Sequence, residues 1–431
     1  MALSRRGAAA AEPNDAFMFW SILSNLWNPS TNPDGFVMLG LAENTLMHDS
    51  LADYMRENHH VSTHGFTYGD GSTGSKRLKI ALSQFLSKHL HPVRALEPKH
   101  IAITNGCSSA LEHLAWAFAD AGDGFLLGQP YYGTFIPDFT LRAGARIIPV
   151  PFKGADPTSV AAIKYYEDAL LGAKASGQRL AGLILCNPHN PLGRCYSREV
   201  LIGLMRLCQK YQIHLISDEI YALSVWRNDI DESPAAMPFE SCLSVDLQNL
   251  IDPSLVHVVW GMSKDFGANG IRLGAIISQS NIELMHALIP VALYSSCSSL
   301  SDAITCKILE DSQWVESYVE ENRRKLASHY RIAAEWAKAN DIEYARGANA
   351  AFFLWVNLGR FYRQNGGSCA EEQLEGVLAK ALLEHKVFLA AGKNFGAEEI
   401  GWFRIVFSHE RSLLEQGFKR VVAALSPRNP A

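Results

Sequence analysis

No two of the eight cysteines, at 107, 186, 195, 208, 242, 297, 306 and 369, form a C-x-x-C pair. That scatter suggests neither a thiolate metal site nor a disulfide framework, so reduced thiols are expected. The fifteen histidines lack zinc-ligand spacing as well, and His59-His60 and His89 with His91 read as exposed polar residues. Positive charge is also scarce. The 39 Lys and Arg against 44 Asp and Glu leave a net charge of -5, which gives no footprint for nucleic acid or an anionic membrane. No apolar run reaches the roughly 20 residues that span a bilayer, there is no internal repeat, and the N-terminal residues have no apolar core suited to secretion. A cytosolic chain with a short mobile tail is expected.

What is present is a pattern. At 431 residues and 48% hydrophobic, the chain can bury a large core in one larger and one smaller domain. From residue 99, apolar runs at 100–104, 124–127, 145–150, 180–185, 213–217, 256–260 and 274–277 predict strands. Amphipathic stretches at 109–118, 161–171, 197–211 and 282–288 fit helices between several of them. This alternation predicts an α/β fold, a mostly parallel sheet covered on both faces, with ligands gathered at the carboxyl ends of its strands. Beyond about residue 300 the alternation stops. Helical stretches at 302–340 and 369–384 flank apolar strands at 352–356 and 402–407, which reads as a second α+β domain. Residues 1–40 read as an irregular arm with one short helix near 17–26, and 48–58 as a further helix.

The polar signatures fall at the predicted strand ends. Lys264, in a glycine-punctuated turn at 261–272, follows a buried run; poor solvation there disfavours an ammonium and suits an amine nucleophile or base. Arg272 closes the same turn with a fork of donors suited to phosphate. Asn105-Gly-Cys107-Ser108-Ser109 opens a helix and is either an anion site or an ordinary cap completed by Glu112. Tyr132, Asn187 and Asn190, and Asp218 with Tyr221 each follow a strand; an acid there is costly to bury unless a cation meets it. Glu43 is either a cap for the helix at 48–58 or a carboxylate held in a pocket. Arg404 needs a carboxylate partner if buried, internal or from a substrate. The glycine-rich loop 65–76 spaces Gly69 and Gly74 as a P-loop does, but Ser75 precedes Lys76 where that motif needs lysine first. Tyr68 in that loop is left as an exposed hydroxyl.

One cofactor uses these groups together. Pyridoxal 5'-phosphate (PLP) needs an amine for its aldehyde, an acid for its ring nitrogen, donors to its phenolate oxygen, a stacking ring and a phosphate cup. Gly40-Leu-Ala-Glu-Asn44, Pro130-Tyr-Tyr132, Asn187-Pro-His-Asn-Pro-Leu-Gly193, Ser217-Asp-Glu-Ile-Tyr221, Ser263-Lys-Asp265 and Gly401-Trp-Phe-Arg404 occur in that order. In these segments the chain resembles the fold-type I, class I/II aminotransferase family, and within it the 1-aminocyclopropane-1-carboxylate (ACC) synthases and ACC synthase-like fungal enzymes. The resemblance implies a seven-stranded, mixed but mostly parallel sheet in a large domain at 41–300, a small α+β domain at 301–431, and an arm at 1–40 packing on the small domain.

It also implies roles. Lys264 would hold the PLP aldehyde as an imine and later move the substrate's α-proton; Asp218 would pair with the ring nitrogen. Asn190 and Tyr221 would contact the phenolate oxygen, and Tyr132 would stack on the ring. Cys107, Ser108, Ser263 and Arg272 would hold the phosphate, with Tyr68 reaching the phosphate of a neighbouring subunit in a homodimer with shared sites. Arg404 would bind the substrate carboxylate, Asn190 would also contact the substrate, and Glu43 takes the position that ACC synthases place on the substrate side. Three segments depart from the family pattern: Gly261 replaces a common serine, Cys107-Ser108 replaces a small residue and threonine, and Gly133–Asp138 differs from the plant Pro-Gly-Phe-Asp-Arg-Asp. The implied reaction is a lyase step through an external aldimine and quinonoid that expels sulfur from S-adenosylmethionine or a cysteine S-conjugate. Amino-group transfer to a 2-oxo acid is the alternative. A catalytically silent PLP-fold binding protein is a third, disfavoured by the intact Lys264, Asp218 and Arg404.

Overall fold

In the computed structural model, residues 3–11, 15–58 and 60–426 are described, with no side-chain account of 15–18. The readings of His59 and of the extreme N-terminus therefore lie outside the described residues.

The described residues form twelve strands: β1 (Val37–Met38), β2 (Ile101–Thr104), β3 (Gly124–Gly128), β4 (Arg146–Val150), β5 (Leu180–Cys186), β6 (His214–Asp218), β7 (Val256–Gly261), β8 (Gly274–Ile277), β9 (Phe353–Asn357), β10 (Val387–Phe388), β11 (Ala390–Ala391) and β12 (Trp402–Val406). Seven form one sheet in the order β2-β8-β7-β6-β5-β3-β4. All neighbours are parallel except β8, which runs against β2 and β7. β2, β3, β5, β7 and β8 are buried at every residue, as expected for strands covered on both faces. Alternate side chains enter two separate cores. Ala102, Phe125, Leu127, Ile184, Ile216 and Val259 pack with Leu111 and Leu114 of helix Cys107–Phe118 on one side. Ile101, Ile103, Leu126, Leu183, Leu215 and Val258 pack with helices Lys76–Leu90, Ala162–Ala175 and Arg198–Tyr211 on the other.

A second, antiparallel sheet has the order β11-β12-β9, with Arg404 opposite Trp355 and Ala390. β1 pairs in parallel with β10, Val37 opposite Val387, so the chain just before residue 40 joins the C-terminal part of the fold. The continuous helix expected over 302–340 is two helices, Ser299–Glu310 and Ser312–Ala339. Asp311 breaks them: its side chain caps the second by accepting from the Trp314 N–H at 3.1 Å, and it also accepts from the Tyr54 hydroxyl at 3.2 Å. The arm holds two short helices, Arg5–Ala10 and Asp15–Leu23, where one was expected.

The loop at 65–76 is not a phosphate cradle. Ser75 is the N-cap of helix Lys76–Leu90: its Oγ accepts from the Leu78 N–H at 3.0 Å and donates to Asp302 at 2.7 Å. The Lys76 N–H goes to Asp70 at 2.9 Å. The hydroxyl and amide that a nucleotide would need are thus committed to carboxylates. Replacing Ser75 by Ala should lower the unfolding free energy by about 1–2 kcal/mol in urea titration, the cost of a lost cap, and leave cofactor binding unchanged.

Candidate active site

The carboxyl edge of the large sheet gathers the polar groups because register aligns its strand ends: Cys186 lies beside Asp218, and Asp218 beside Val259. Beyond β7 the chain makes one helical turn, Met262–Asp265, which aims Lys264 back over the edge. Asp265 pins that turn. It is fully buried and accepts from the Leu223 N–H (3.1 Å), the Ser224 hydroxyl (2.8 Å) and Trp260 Nε1 (3.1 Å).

One cavity at this edge is lined by Cys107, Ser108, Tyr132, Asn190, Asp218, Tyr221, Ser263, Lys264 and Arg272. Of the predicted cofactor contacts only Tyr68 is elsewhere, fully exposed on the surface. Two side chains that periodicity did not single out, Asp138 and Asn269, line it too. Burial raises the Asp138 carboxyl to about 7, with the Asp218 charge adding to the rise, and Asp138 Oδ2 is buried without a partner among the described residues. Asp138 sits in the short helix Phe135–Thr140, and Asn269 opens the single helical turn Asn269–Ile271. The one available signal was a polar residue within a few positions of a strand-end motif.

Lys264 Nζ donates to the Ala42 carbonyl at 2.5 Å. Burial, then the Arg404 charge, lowers its pKa to about 8, opposed by Glu43 and Cys107. Burial raises Asp218 to about 7 against the Ile220 N–H and the Lys264 charge. Asp218 and Lys264 form no ion pair among the described residues, so the acid is met by an amine only at a distance. Tyr221 is buried between Phe352 and Phe353, whose rings meet it edge-on at 5.5 and 5.4 Å.

Arg404 is 3% exposed and has no carboxylate partner among the described residues. Nη1 donates to Asn190 Oδ1 at 2.9 Å, Nη2 to the Gly40 carbonyl at 2.8 Å, and Nε is buried without a partner. Phe353 and Phe395 lie against the guanidinium at 4.4 and 4.8 Å. With Oδ1 of Asn190 taken, its amide NH₂ is left as a donor. Glu43 is not the cap of helix His48–Asn58, which begins five residues later; its carboxylate acts on the Lys264 charge instead. Nor does Glu112 complete a cap: it bonds His113 (2.6 Å) and Arg142 (3.2 Å). Gly106, at φ +84°, precedes helix Cys107–Phe118, and any Cβ there would strike the Arg272 guanidinium. Arg272 thereby lies against the free N–H groups of a helix start, the arrangement that receives phosphate. At Gly261 a Cβ would come within 2.8 Å of Cys107 Sγ, so two of the departures from the family pattern occupy one space.

These residues fit PLP: an amine, an acid, two phenols, an amide and an anion cup converge on one cavity. A mostly parallel seven-stranded sheet carrying that set at its carboxyl edge defines a fold-type I PLP-dependent protein. Residues 37–421 match the model of the family described as aminotransferase class I and II, and the chain belongs to that family. It is a PLP-dependent aminotransferase-family enzyme. It is 32% identical over 405 residues to 1-aminocyclopropane-1-carboxylate synthase-like protein 1 of Mus musculus, covering 92% of this chain and 77% of the relative. Identity is also 32%, over 412 residues and 94% of both chains, with the Leptosphaeria maculans protein named "Probable aminotransferase sirI". Among solved structures, Thermus thermophilus aspartate aminotransferase with maleate superposes with a TM-score of 0.74 at 20% identity, covering 99% of this chain and 100% of that one.

The raised pKa of Asp218 carries a sign. A carboxyl whose folded value lies above its unfolded value costs stability once ionised, beginning above the unfolded pKa near 3.8 and complete above about 7. In cofactor-free protein, Asp218→Asn should therefore raise the melting temperature at pH 8 more than at pH 5. Equal shifts at both pH values would contradict the burial of an ionised acid.

Proposed function

We propose that this chain is a PLP-dependent lyase of ACC synthase type, acting on an α-amino acid whose sulfur substituent leaves, either S-adenosylmethionine or a cysteine S-conjugate. The observation that carries an amino-acid substrate is Arg404: a buried guanidinium with an unpartnered Nε and, among the described residues, no acid paired with it has room for one carboxylate. Glu43 beside Lys264 and the likeness to ACC synthase-like proteins favour the lyase reading. The sirI likeness favours the alternative, amino-group transfer to a 2-oxo acid. A catalytically silent binding protein is the third reading.

Bound PLP supplies an electron sink for breaking bonds at the substrate's α-carbon. The chain's residues do the rest. Lys264 would be joined to the cofactor and then, as an amine with a pKa near 8, would take the α-proton at neutral pH. Asp218 would face the ring nitrogen, whose positive charge favours the carboxylate. Asn190 and Tyr221 would donate to the phenolate oxygen, and Tyr132 would cover the ring. Cys107, Ser108, Ser263 and Arg272 would hold the phosphate, and Glu43 would lie on the substrate side. In this reading residues 41–300 are the PLP-binding domain, 301–431 carry Arg404, and the arm at 1–40 packs on the latter.

A homodimer with shared sites fits the surface. Phe66 (78% exposed), Tyr68 and Tyr294 (83%) sit on segments tied together by Ser299 Oγ to the Gly65 carbonyl (2.5 Å) and Ser72 Oγ to the Ile289 carbonyl (2.9 Å). Such an apolar face asks for a partner, and Tyr68 would then reach the other subunit's phosphate. No helix among the described residues is long and apolar enough to cross a membrane; a cytosolic location is part of this proposal.

Two outcomes decide between the readings. Incubated with S-adenosylmethionine or a cysteine S-conjugate, the PLP-loaded protein should release the sulfur fragment without a 2-oxo acid present. Amino transfer to a 2-oxo acid with no sulfur release would overturn the lyase reading in favour of the aminotransferase. Arg404→Ala should raise KM for the amino acid about tenfold to a hundredfold, the loss of a charge-assisted pair, with PLP absorbance retained.

A further inference from the structure

A cavity of about 700 Å³ opens at the end of β2 and β8 remote from Lys264, walled by Lys79, Arg94, Lys99, His100, Ile282 and Met285. Its cations are not equivalent. Lys99 is paired, 2.9 Å from Glu97 Oε2. Lys79 and Arg94 form no ion pair among the described residues. Lys79 Nζ donates to Thr73 Oγ1 at 2.7 Å, with the Asp70 charge acting on it from farther away. Arg94 Nη2 reaches the Gln279 carbonyl at 2.5 Å and His100 Nε2 at 2.8 Å.

The contact with His100 cannot be satisfied within the protein. His100 is 3% exposed, and the Glu97 N–H donates to its Nδ1 at 3.0 Å. Neutral imidazole carries one proton, which must then sit on Nε2. Guanidinium has no acceptor, so two donors face each other at Nε2. Glu97 Oε1, at 3.8 Å, is too far to accept. Charging the ring would set a second N–H against the Glu97 amide and a second cation beside Arg94. An anion between Nε2 and the guanidinium accepts from both and removes the conflict.

We propose that this cavity is a binding site for a phosphate monoester. Its phosphate is held by Arg94, His100 Nε2–H and Lys79, and its organic part lies against Ile282 and Met285. A dianion with three free oxygens matches three donor groups lining one cavity, and the apolar wall suits a body beyond the phosphate. The site stands apart from the PLP phosphate cup, which lies at the other end of β2.

The test uses PLP-loaded protein, so that the cofactor cup is filled. Inorganic phosphate and then adenosine 5'-monophosphate are titrated at constant ionic strength set by chloride, with melting temperature and calorimetry as readouts. Both should bind saturably, the monophosphate more tightly. Arg94→Gln and Lys79→Gln should each weaken both about tenfold or more, while Arg411→Gln, exposed and paired with Glu415, should change neither. Identical melting in phosphate and chloride, or unchanged affinity in Arg94→Gln, would overturn the site. Phosphate binding as tight as the monophosphate would overturn the monoester.

Discussion

The structure depends on charged groups taken out of water without partners of opposite charge. Lys264, Asp218 and Arg404 converge on the carboxyl edge of one sheet, yet among the described residues none of the three is in an ion pair. Each would be better solvated outside, and the shifted pKa values of Lys264 and Asp218 record that cost. A fold that buries such a set spends stability on a site that only a ligand completes. The surrounding packing supplies what is lost: two cores on the two faces of the large sheet, and Asp265 locked by three donors directly after the lysine.

Coupling between the two sheets follows from Arg404. Its Nη2 bond to the Gly40 carbonyl ties the C-terminal sheet to the segment that follows β1, and its Nη1 bond reaches Asn190 beyond β5. The segment 40–44 meets both ends of the site, since the Ala42 carbonyl receives the Lys264 amine. The Glu97–His100–Arg94 cluster at the far end shows the opposite case, donors left facing each other with space beside them.

Much of this was legible in the residues. The strands were, because runs such as Leu180–Cys186 are buried on both faces and so read as unbroken apolar stretches. The polar groups directly after them followed from topology alone. Capping was less legible: Glu43 and Glu112 have the composition of caps, but their carboxylates serve Lys264 and His113 with Arg142. Helical periodicity ran straight through Asp311, since a residue that caps one helix while ending another keeps the same apolar phase on both sides. Asp138 lies in a six-residue helix and Asn269 in a three-residue helical turn, both too short to show a period, and only tertiary folding brings them to the cavity. Tyr68 carries no local signal of purpose, because its surroundings belong to a surface rather than to the chain's own site.

The most direct measurement is the absorbance spectrum of the purified protein after PLP is supplied, compared with Lys264→Ala. The wild type should show the long-wavelength band of PLP joined to a lysine, shifting when an amino acid is added, and the variant should fold but lack the band. A variant that keeps the band, or a wild type that stays colourless in PLP, would contradict Lys264 as the residue around which the site is built.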